Sequence, residues 1–265
     1  MAGAERRRGL SDEMSQPVFK SPEERIGEMR DLIAGQGAVR IDELAQNFGV
    51  SEMTIRRDLD ELEALGFARR VRGGAIALGP EPWELRHQHN ARAKTKIAEK
   101  LLPLVPGTGT VSFDASTTIY RLAASIATAR DLVVVTNGWD TFHSMKGTPG
   151  VTASLTGGTE EPRTGSLVGP MAVRAAQSFL YDTFFSSAAA LDLEFGPSEA
   201  ALAESEVKRA FSQTSNRIVL AVDHSKLGTR AQARVLDFEQ IDLLVTDLDP
   251  SDHRLDGYRE LVEIA

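Results

Sequence analysis

SEMTIRRDLDELEALGFARRVRGGA, residues Ser51–Ala75, is the stretch on which the reading of the N-terminal part turns. Serine is a favoured N-cap, because its hydroxyl accepts from a free backbone N–H of the first helical turn. A helix from Glu52 to Leu65 sets Met53, Ile55, Leu59, Leu62 and Leu65 mostly along one face, with Met53, Ile55 and Leu59 able to pack on neighbouring helices. Glu52, Thr54, Arg56 and Arg57 then lie near the exposed N-terminal end. Gly66 stops the helix, and FARRVRGGAIAL reads as a two-stranded β element that tightens at Gly73-Gly74 and carries Arg69, Arg70 and Arg72.

Working backwards, Gly49 terminates a helix ELAQNF that Asp42 can cap, and AVRI before it is a short extended piece. Ser21-Pro22-Glu23-Glu24 has the composition of a helix start, and Ile26, Met29, Leu32 and Ile33 follow at helical spacing up to Gly35-Gln36-Gly37. Residues 1–20 mix charge with Gly, Ser, Gln and Pro without an apolar period, and read as a disordered tail. Residues 21–78 therefore run helix, strand, helix, turn, helix, β-hairpin, the order of a winged helix-turn-helix.

In that layout the second helix of the motif reads base edges with its N-terminal residues. Arg pairs with guanine or binds phosphate, and Thr reaches a thymine methyl. The DNA-binding candidates are Ser51, Glu52, Thr54, Arg56 and Arg57, with Arg69, Arg70 and Arg72 on the wing. A plainer reading stands beside this one. Asp58, Asp60, Glu61 and Glu63 surround the Arg pair, and residues 21–78 hold eight Arg, no Lys and eleven acids, so the arginines also fit a solvated, salt-bridged face.

The whole chain has 265 residues, enough for two domains, and a net charge of −8, which argues against indiscriminate coating of nucleic acid. There is no cysteine. That excludes disulfides, zinc-thiolate sites and thiol nucleophiles, and fits a reducing cytoplasm. The longest apolar runs, such as LVVV at Leu132–Val135, are strand-sized, so no membrane partner is expected. No metal or cofactor is expected either.

After a linker over residues 79–90, a basic helical stretch Ala91–Val105 leads into alternating segments. TVSFD, LVVVTN, VTASLTGG, DTFFSSA, RIVLAVD and IDLLVTD read as buried strands; Thr117–Ile126, Met171–Leu180 and Ser198–Gln213 read as helices. The fold class is α/β: a mostly parallel sheet covered by helices over residues 91–265, preceded by the winged helix-turn-helix. Ligands of such sheets sit beyond the carboxyl ends of the strands. Polar residues recur there: Asp114, Ser116, Thr117 and Thr118 after one strand, Asn137 after the next, Gly157-Gly158 after a third, and Asp223 and Lys226 after a fourth. Hydroxyls and N–H groups at a helix N-terminus suit an anion such as phosphate, Lys226 adds a charge, and Asp223 can accept from sugar hydroxyls. Taken singly, each also has a structural use: Thr117 as a helix cap, Gly157-Gly158 as a turn, Asp223 and Lys226 as a surface pair.

ELAQNFGVSEMTIRRDLDELEALGFARRVRGGA, Glu43–Ala75, closely resembles the DNA-binding signature of the DeoR family of bacterial transcriptional regulators, with Arg72 where that family usually has His. The resemblance continues to about Asp247. The family's D-x-G-T-T loop falls on Asp114–Thr118, its TN on Thr136-Asn137, its GG on Gly157-Gly158, its E-x-x-VKRA-like helix on Glu204–Ala210 with Lys208, and its D-x-x-K on Asp223–Lys226. The resemblance implies a sensor domain similar in fold to ribose-5-phosphate isomerase and the CoA-transferases. Such a domain binds a phosphorylated sugar or related metabolite and oligomerises. Two departures fall in the implied pocket: Ser116 replaces the loop glycine, restricting the backbone there, and SSAAALDLEFG, Ser186–Gly196, replaces a glycine-rich segment while keeping Asp192 and Gly196.

Three function classes follow. The first is a cytoplasmic, homo-oligomeric regulator, a repressor in most of the family, with a duplex DNA operator and a small-molecule effector as partners. The second is a regulator whose C-terminal half takes an unphosphorylated ligand or only oligomerises. The third is an isomerase-like enzyme, for which Asp114, Asp192 or Asp223 would have to act as base; no acid pair with a proton donor is clustered in the sequence, and a catalytic role is not expected.

Overall fold

The computed structural model describes residues 21–65, 67–77 and 82–265. The readings of residues 1–20 as a tail and of Gly66 as a helix stop lie outside them. The described residues form two compact units, one drawn from residues 21–33 and 38–76 and the other from Ala34–Gly37 and Ala77–Ala265.

The first unit comprises α1 (Pro22–Gln36), β1 (Ala38–Arg40), α2 (Ile41–Phe48), α3 (Glu52–Ala64), β2 (Ala68–Val71) and β3 (Gly74–Ala77). Ser21 and Glu24 cap α1 reciprocally: the Glu24 N–H donates to Ser21 Oγ at 3.2 Å and the Ser21 N–H to the Glu24 carboxylate at 2.9 Å. Gly49 closes α2 in the left-handed conformation. Asp42 does not cap that helix. Arg40 occupies the N-cap position without a side-chain bond, and Asp42, already inside the first turn, is bound by the Arg40 guanidinium at 2.9 and 3.0 Å. Ser51 caps α3 as expected, accepting from the Thr54 N–H at 3.2 Å.

Met29, Ile33, Leu44, Ile55, Leu59 and Leu62 form the core of this unit with Ala68 and Ala75. Met53 and Leu65 do not join it and are 74% and 59% exposed. The core stripe of α3 is Ile55–Leu59–Leu62, with Asp58 on its edge; Met53 lies off it at the first turn. The wing sheet runs β1-β3-β2. Gly74 is required where β3 crosses Val39, because a Cβ there would collide with the Val39 carbonyl oxygen.

Across the same core, Arg25 of α1 and Asp58 of α3 form a forked ion pair, Nε to Oδ2 at 2.6 Å and Nη2 to Oδ1 at 3.1 Å, with both side chains under 10% exposed. Two helices are thereby held in one register by a directional, desolvated bond. Arg25→Ala strands a buried carboxylate and is expected to cost about 3–5 kcal/mol, whereas the double change Arg25→Met with Asp58→Leu recovers most of it; urea denaturation followed by circular dichroism of the two variants measures the difference.

The second unit opens with α4 (Trp83–Gln88), inside the stretch read as a linker. After it come α5 (Ala91–Leu101), β4 (Thr108–Phe113), α6 (Thr117–Ser125), β5 (Asp131–Thr136), α7 (Trp139–Ser144), β6 (Val151–Leu155), β7 (Thr159–Glu161), β8 (Ser166–Val168) and α8 (Pro170–Ala176). The chain continues through β9 (Thr183–Ser186), β10 (Ala190–Asp192), β11 (Gly196–Glu199), α9 (Leu202–Gln213), β12 (Ile218–Ala221), β13 (Ala233–Arg234), β14 (Leu243–Val245) and α10 (Asp256–Arg259). All six strands read from the sequence join one sheet, in the order β14-β12-β9-β4-β5-β6, with parallel pairing. Three helices are shorter than read, the basic one read as Ala91–Val105 ending at Leu101. Ser198 and Glu199 belong to β11, so the helix after them starts at Leu202, and the one read as Met171–Leu180 ends at Ala176.

Period-two alternation gives each strand two buried faces. Phe113, Val134, Phe185 and Val219 meet α5 and α6 on one side, and Phe184, Leu220 and Leu244 meet α8 and α9 on the other. The chain winds from β4 outward to β6, then returns to place β9 on the opposite side of β4. The β4/β9 junction is therefore the topological switch point, where the connections leaving adjacent strands diverge and open a crevice at their carboxyl ends.

Candidate functional site

In the first unit, the residues expected to meet DNA divide into engaged and free groups. Ser51 Oγ lies 2.9 Å from Thr54 Oγ1, so the two hydroxyls are bonded to each other. Arg56 reaches back one turn to Glu52 at 3.1 Å. Arg70 is largely spent on the fold: its guanidinium binds Asp60 and donates to the Arg56 carbonyl, while its N–H donates to Glu63 at 2.7 Å, fastening the wing to α3. Arg57, Arg69 and Arg72 are exposed and make no ion pair among the described residues, which leaves three cations on α3 and the wing available to a polyanion. The plain reading of a salt-bridged face thus fits Arg56 and Arg70 but not these three.

In the second unit, a cavity of about 430 Å³ opens at the switch point. Its floor comes from Ser116, Thr117 and Thr118 after β4, from Ser187–Ala189 after β9, from Glu199 at the end of β11 and Ala200 beyond it, and from Asp223, Ser225 and Lys226 after β12. Arg86 of α4 with His89, Asn90 and Lys94 forms the remaining wall.

Ser116, where a glycine was expected, caps α6 with φ −76° and ψ 150° and accepts from the Ile119 N–H at 3.2 Å. That is ordinary extended backbone, so the serine imposes no strain and leaves the first-turn N–H groups of α6 at the cavity. Asp223 is buried, accepting from Asn90 Nδ2 at 2.9 Å and from the Ser225 N–H at 3.1 Å and Oγ at 2.5 Å. It does not pair with Lys226, which has no ion pair among the described residues.

Behind the cavity, the Lys208 ammonium of α9 is buried against Asp114 at 2.9 Å, Glu199 at 2.5 Å and the Ser187 carbonyl at 2.7 Å. Burial alone would push the Asp114 carboxyl up. The Lys208 charge and hydrogen bonds from residues 116 and 187 outweigh burial and hold it below the usual carboxylate range. The same carboxylates hold Lys208 above its ordinary range in spite of burial, while desolvation and the neighbouring acids push Glu199 up. Glu204 accepts from Ser166 Oγ at 2.8 Å. Asp114 and Lys208 thus brace the floor; Lys208 borders a small recess beside the cavity, shared with Arg86, Asn137, Glu199 and Glu204.

Three expected residues lie elsewhere. Asp192 is bound by Arg230 at 2.8 Å and does not line the cavity. Gly157 and Gly158 follow β6, the edge strand, too far along the sheet to reach the switch point. Gly158 serves a close approach instead, since a Cβ there would come within 2.6 Å of the Val168 carbonyl oxygen.

Several cavity residues were not singled out from the sequence, Arg86 and Lys94 chief among them for their charge. Arg86 sits on α4, which is docked by stacking of Trp83 on His87 at 4.7 Å, by edge contacts of both rings with Tyr120 at 5.3 Å, and by donation from Arg121 to the His87 carbonyl at 2.9 Å. Its buried Nε and Nη2 find no acceptor among the described residues. Lys94 donates to the His89 carbonyl at 2.8 Å and to that of Arg86. The only prior signal for Lys94 was the basic character of the stretch Ala91–Val105, and Arg86 fell in the stretch read as a linker.

The arrangement joins cations and free helix N–H groups to buried carboxylates in one concave site, the chemistry for binding an anion that also carries hydroxyls. The match to known proteins now decides the kinship. The DeoR C terminal sensor domain model covers residues 89–248, and the DeoR-like helix-turn-helix domain model covers residues 25–80. This chain belongs to the DeoR family. It is 32% identical to the HTH-type transcriptional regulator GolR of Listeria innocua over 85% of this chain and 91% of that one. It is 29% identical to the Glycerol-3-phosphate regulon repressor of Escherichia coli, over 83% and 88%. The HTH-type transcriptional regulator IolR of Bacillus subtilis is 28% identical over 84% and 90%. These relatives are regulators rather than enzymes, and the DeoR chain described here is a DNA-binding transcriptional regulator. Among solved structures, ribose 5-phosphate isomerase from Plasmodium falciparum aligns over 50% of this chain and 52% of its own at 14% identity and a TM-score of 0.35, a loose likeness. No described helix is long and apolar enough to cross a membrane.

Burial lowers the Lys94 pKa to about 8, with Asp223 opposing and Lys226, Arg86 and Arg121 adding to the shift. Between about pH 8 and the ordinary lysine value the unfolded chain holds a proton that the folded chain does not. The contribution of Lys94 to stability therefore rises with pH across that window. Anion binding follows the opposite sign: inorganic phosphate, titrated by calorimetry from pH 7 to 9.5, is expected to bind more weakly as pH passes 8 in the wild type and to lose that step in Lys94→Met.

Proposed function

We propose that this chain is a ligand-controlled repressor. It binds a duplex operator as a homo-oligomer through α3 and the wing, and responds to a small hydroxylated anion, a sugar phosphate or a close relative, held in the switch-point cavity. The observation that carries the ligand reading is the cavity itself: Lys94, Lys226, Arg86 and the N-terminus of α6 line one concave space together with Asp223 and Glu199. An anionic group suits the first set and hydroxyls suit the second. A volume of about 430 Å³ falls within the range of small-molecule sites, which favours a sensor over a domain that only oligomerises. The name of one relative refers to glycerol 3-phosphate, in keeping with this ligand class. Control then needs only that the ligand prefer one of two arrangements of the oligomer, which differ in how the DNA-binding units meet their half-sites.

Thermal unfolding against a panel of phosphorylated and unphosphorylated sugars tests the ligand half. One compound is expected to raise the midpoint by mass action, and Lys226→Ala and Arg86→Ala to abolish the rise without lowering the midpoint of the free protein. Stabilisation by an unphosphorylated sugar alone would replace the phosphate reading.

The DNA half is tested by fluorescence anisotropy on duplexes selected from a random library. Arg57→Ala is expected to weaken binding by about tenfold or more and relax preference at one base pair. Arg72→Ala is expected to weaken all duplexes alike and lower the salt slope by about 1. Unchanged affinity in folded Arg57→Ala would remove α3 from the interface.

A further inference from the structure

Met53 was expected in the core of the DNA-binding unit, and the structure turns it out to solvent at 74% exposure. Its neighbourhood gives that exposure a direction. It sits in the first turn of α3, one residue after Glu52 and two after the cap Ser51. Met53 and Arg57 are four residues apart and share a face. Arg57 is the arginine of α3 that has no ion pair among the described residues, whereas Arg56 is held by Glu52. Thr54, the other side chain here with a methyl group, is half-buried and bonded through its hydroxyl to Ser51. The exposed first turn of α3 therefore presents one large flexible apolar side chain beside one free guanidinium.

We propose that Met53 reads sequence: its thioether packs on the 5-methyl group of a thymine in the major groove, next to the base pair or phosphate taken by Arg57. The proposal rests on α3 being the helix that enters the groove. The major groove displays one apolar feature, the thymine methyl, and it is met by apolar side chains. Methionine is suited to that contact because its unbranched thioether adapts to an irregular surface. A polar residue would serve the helix equally well at this exposed position, so nothing within the described unit calls for methionine there.

The test uses the full chain. A duplex is selected from a random library with the wild type, and each thymine is then replaced in turn by deoxyuridine, which removes only the methyl group. Affinities are measured by fluorescence anisotropy for the wild type, Met53→Ala and Arg57→Ala. One thymine per half-site is expected whose replacement weakens the wild type about three- to fivefold, the value of one buried methyl-sized group, and leaves Met53→Ala unchanged. Equal effects on both proteins at every thymine, or no effect at any, would overturn the proposal. So would a change in oligomeric state of Met53→Ala by light scattering, which would assign the side chain to a contact between copies. If Arg57→Ala also binds normally, α3 itself is misplaced; if Arg57→Ala fails while Met53→Ala and the wild type respond alike, only the role of Met53 falls.

Discussion

One buried ammonium organises the second unit. Lys208 enters from α9 and meets Asp114 at the end of β4, Glu199 at the end of β11 and the Ser187 carbonyl after β9. A lone charge at that depth would be prohibitive. Surrounded by carboxylates it becomes a directional tie between segments that the sheet alone does not hold in register. Asp114 accepts from the Ser116 and Ser187 N–H groups at 2.9 and 2.7 Å, and so fixes the two loops that diverge at the switch point. The cavity floor is the visible consequence. The N-terminus of α6 and the turn after β9 are held apart at a set distance, and the space between them stays open.

The DNA-binding unit solves a smaller version of the same problem. Its core holds no buried aromatic ring among the described residues, and three helices have to cross at defined angles to expose α3. The Arg25–Asp58 fork supplies the direction that apolar contacts lack. Arg70 does for the wing what Arg25 does for α1, tying it to Asp60, Glu63 and the Arg56 carbonyl. Basic residues are thus divided between those engaged in the architecture and those left without an ion pair among the described residues, and the division cannot be read from charge counts, because both kinds are arginine.

Much of the site was legible because strand ends are legible. Buried parallel strands appear as apolar runs, and the polar residues that follow them collect at one edge of the sheet. Ser116, Thr117, Thr118, Asp223 and Lys226 were found in that way and line the cavity. The rule does not say which strands neighbour the switch point. Gly157 and Gly158 follow a strand as good as the others, but β6 lies at the sheet edge. Asp192 was taken from a motif in a segment that the chain uses for a separate antiparallel sheet, where Arg230 claims it. Arg86 escaped notice because six residues between Pro82 and His89 are too few to show a helical period, and their helix is held by aromatic contacts with Tyr120, far away in sequence.

By itself the sequence determined what depends on neighbours along the chain: the caps at Ser21 and Ser51, the stop at Gly49, the six strands, and the signature Glu43–Ala75, whereas the cap read at Thr117 falls one residue earlier, on Ser116. Only the tertiary structure decided what depends on partners far apart in the chain. It set the strand order that puts the crevice between β4 and β9, the burial of Lys208 among Asp114 and Glu199, and the docking of α4. It also separated Arg57 from Arg56, one free and one paired, and left Met53 outside the core. The physical reason is the same in each case. Helical and strand periods are local, whereas desolvation and ion pairing act on whatever the fold brings within a few ångströms.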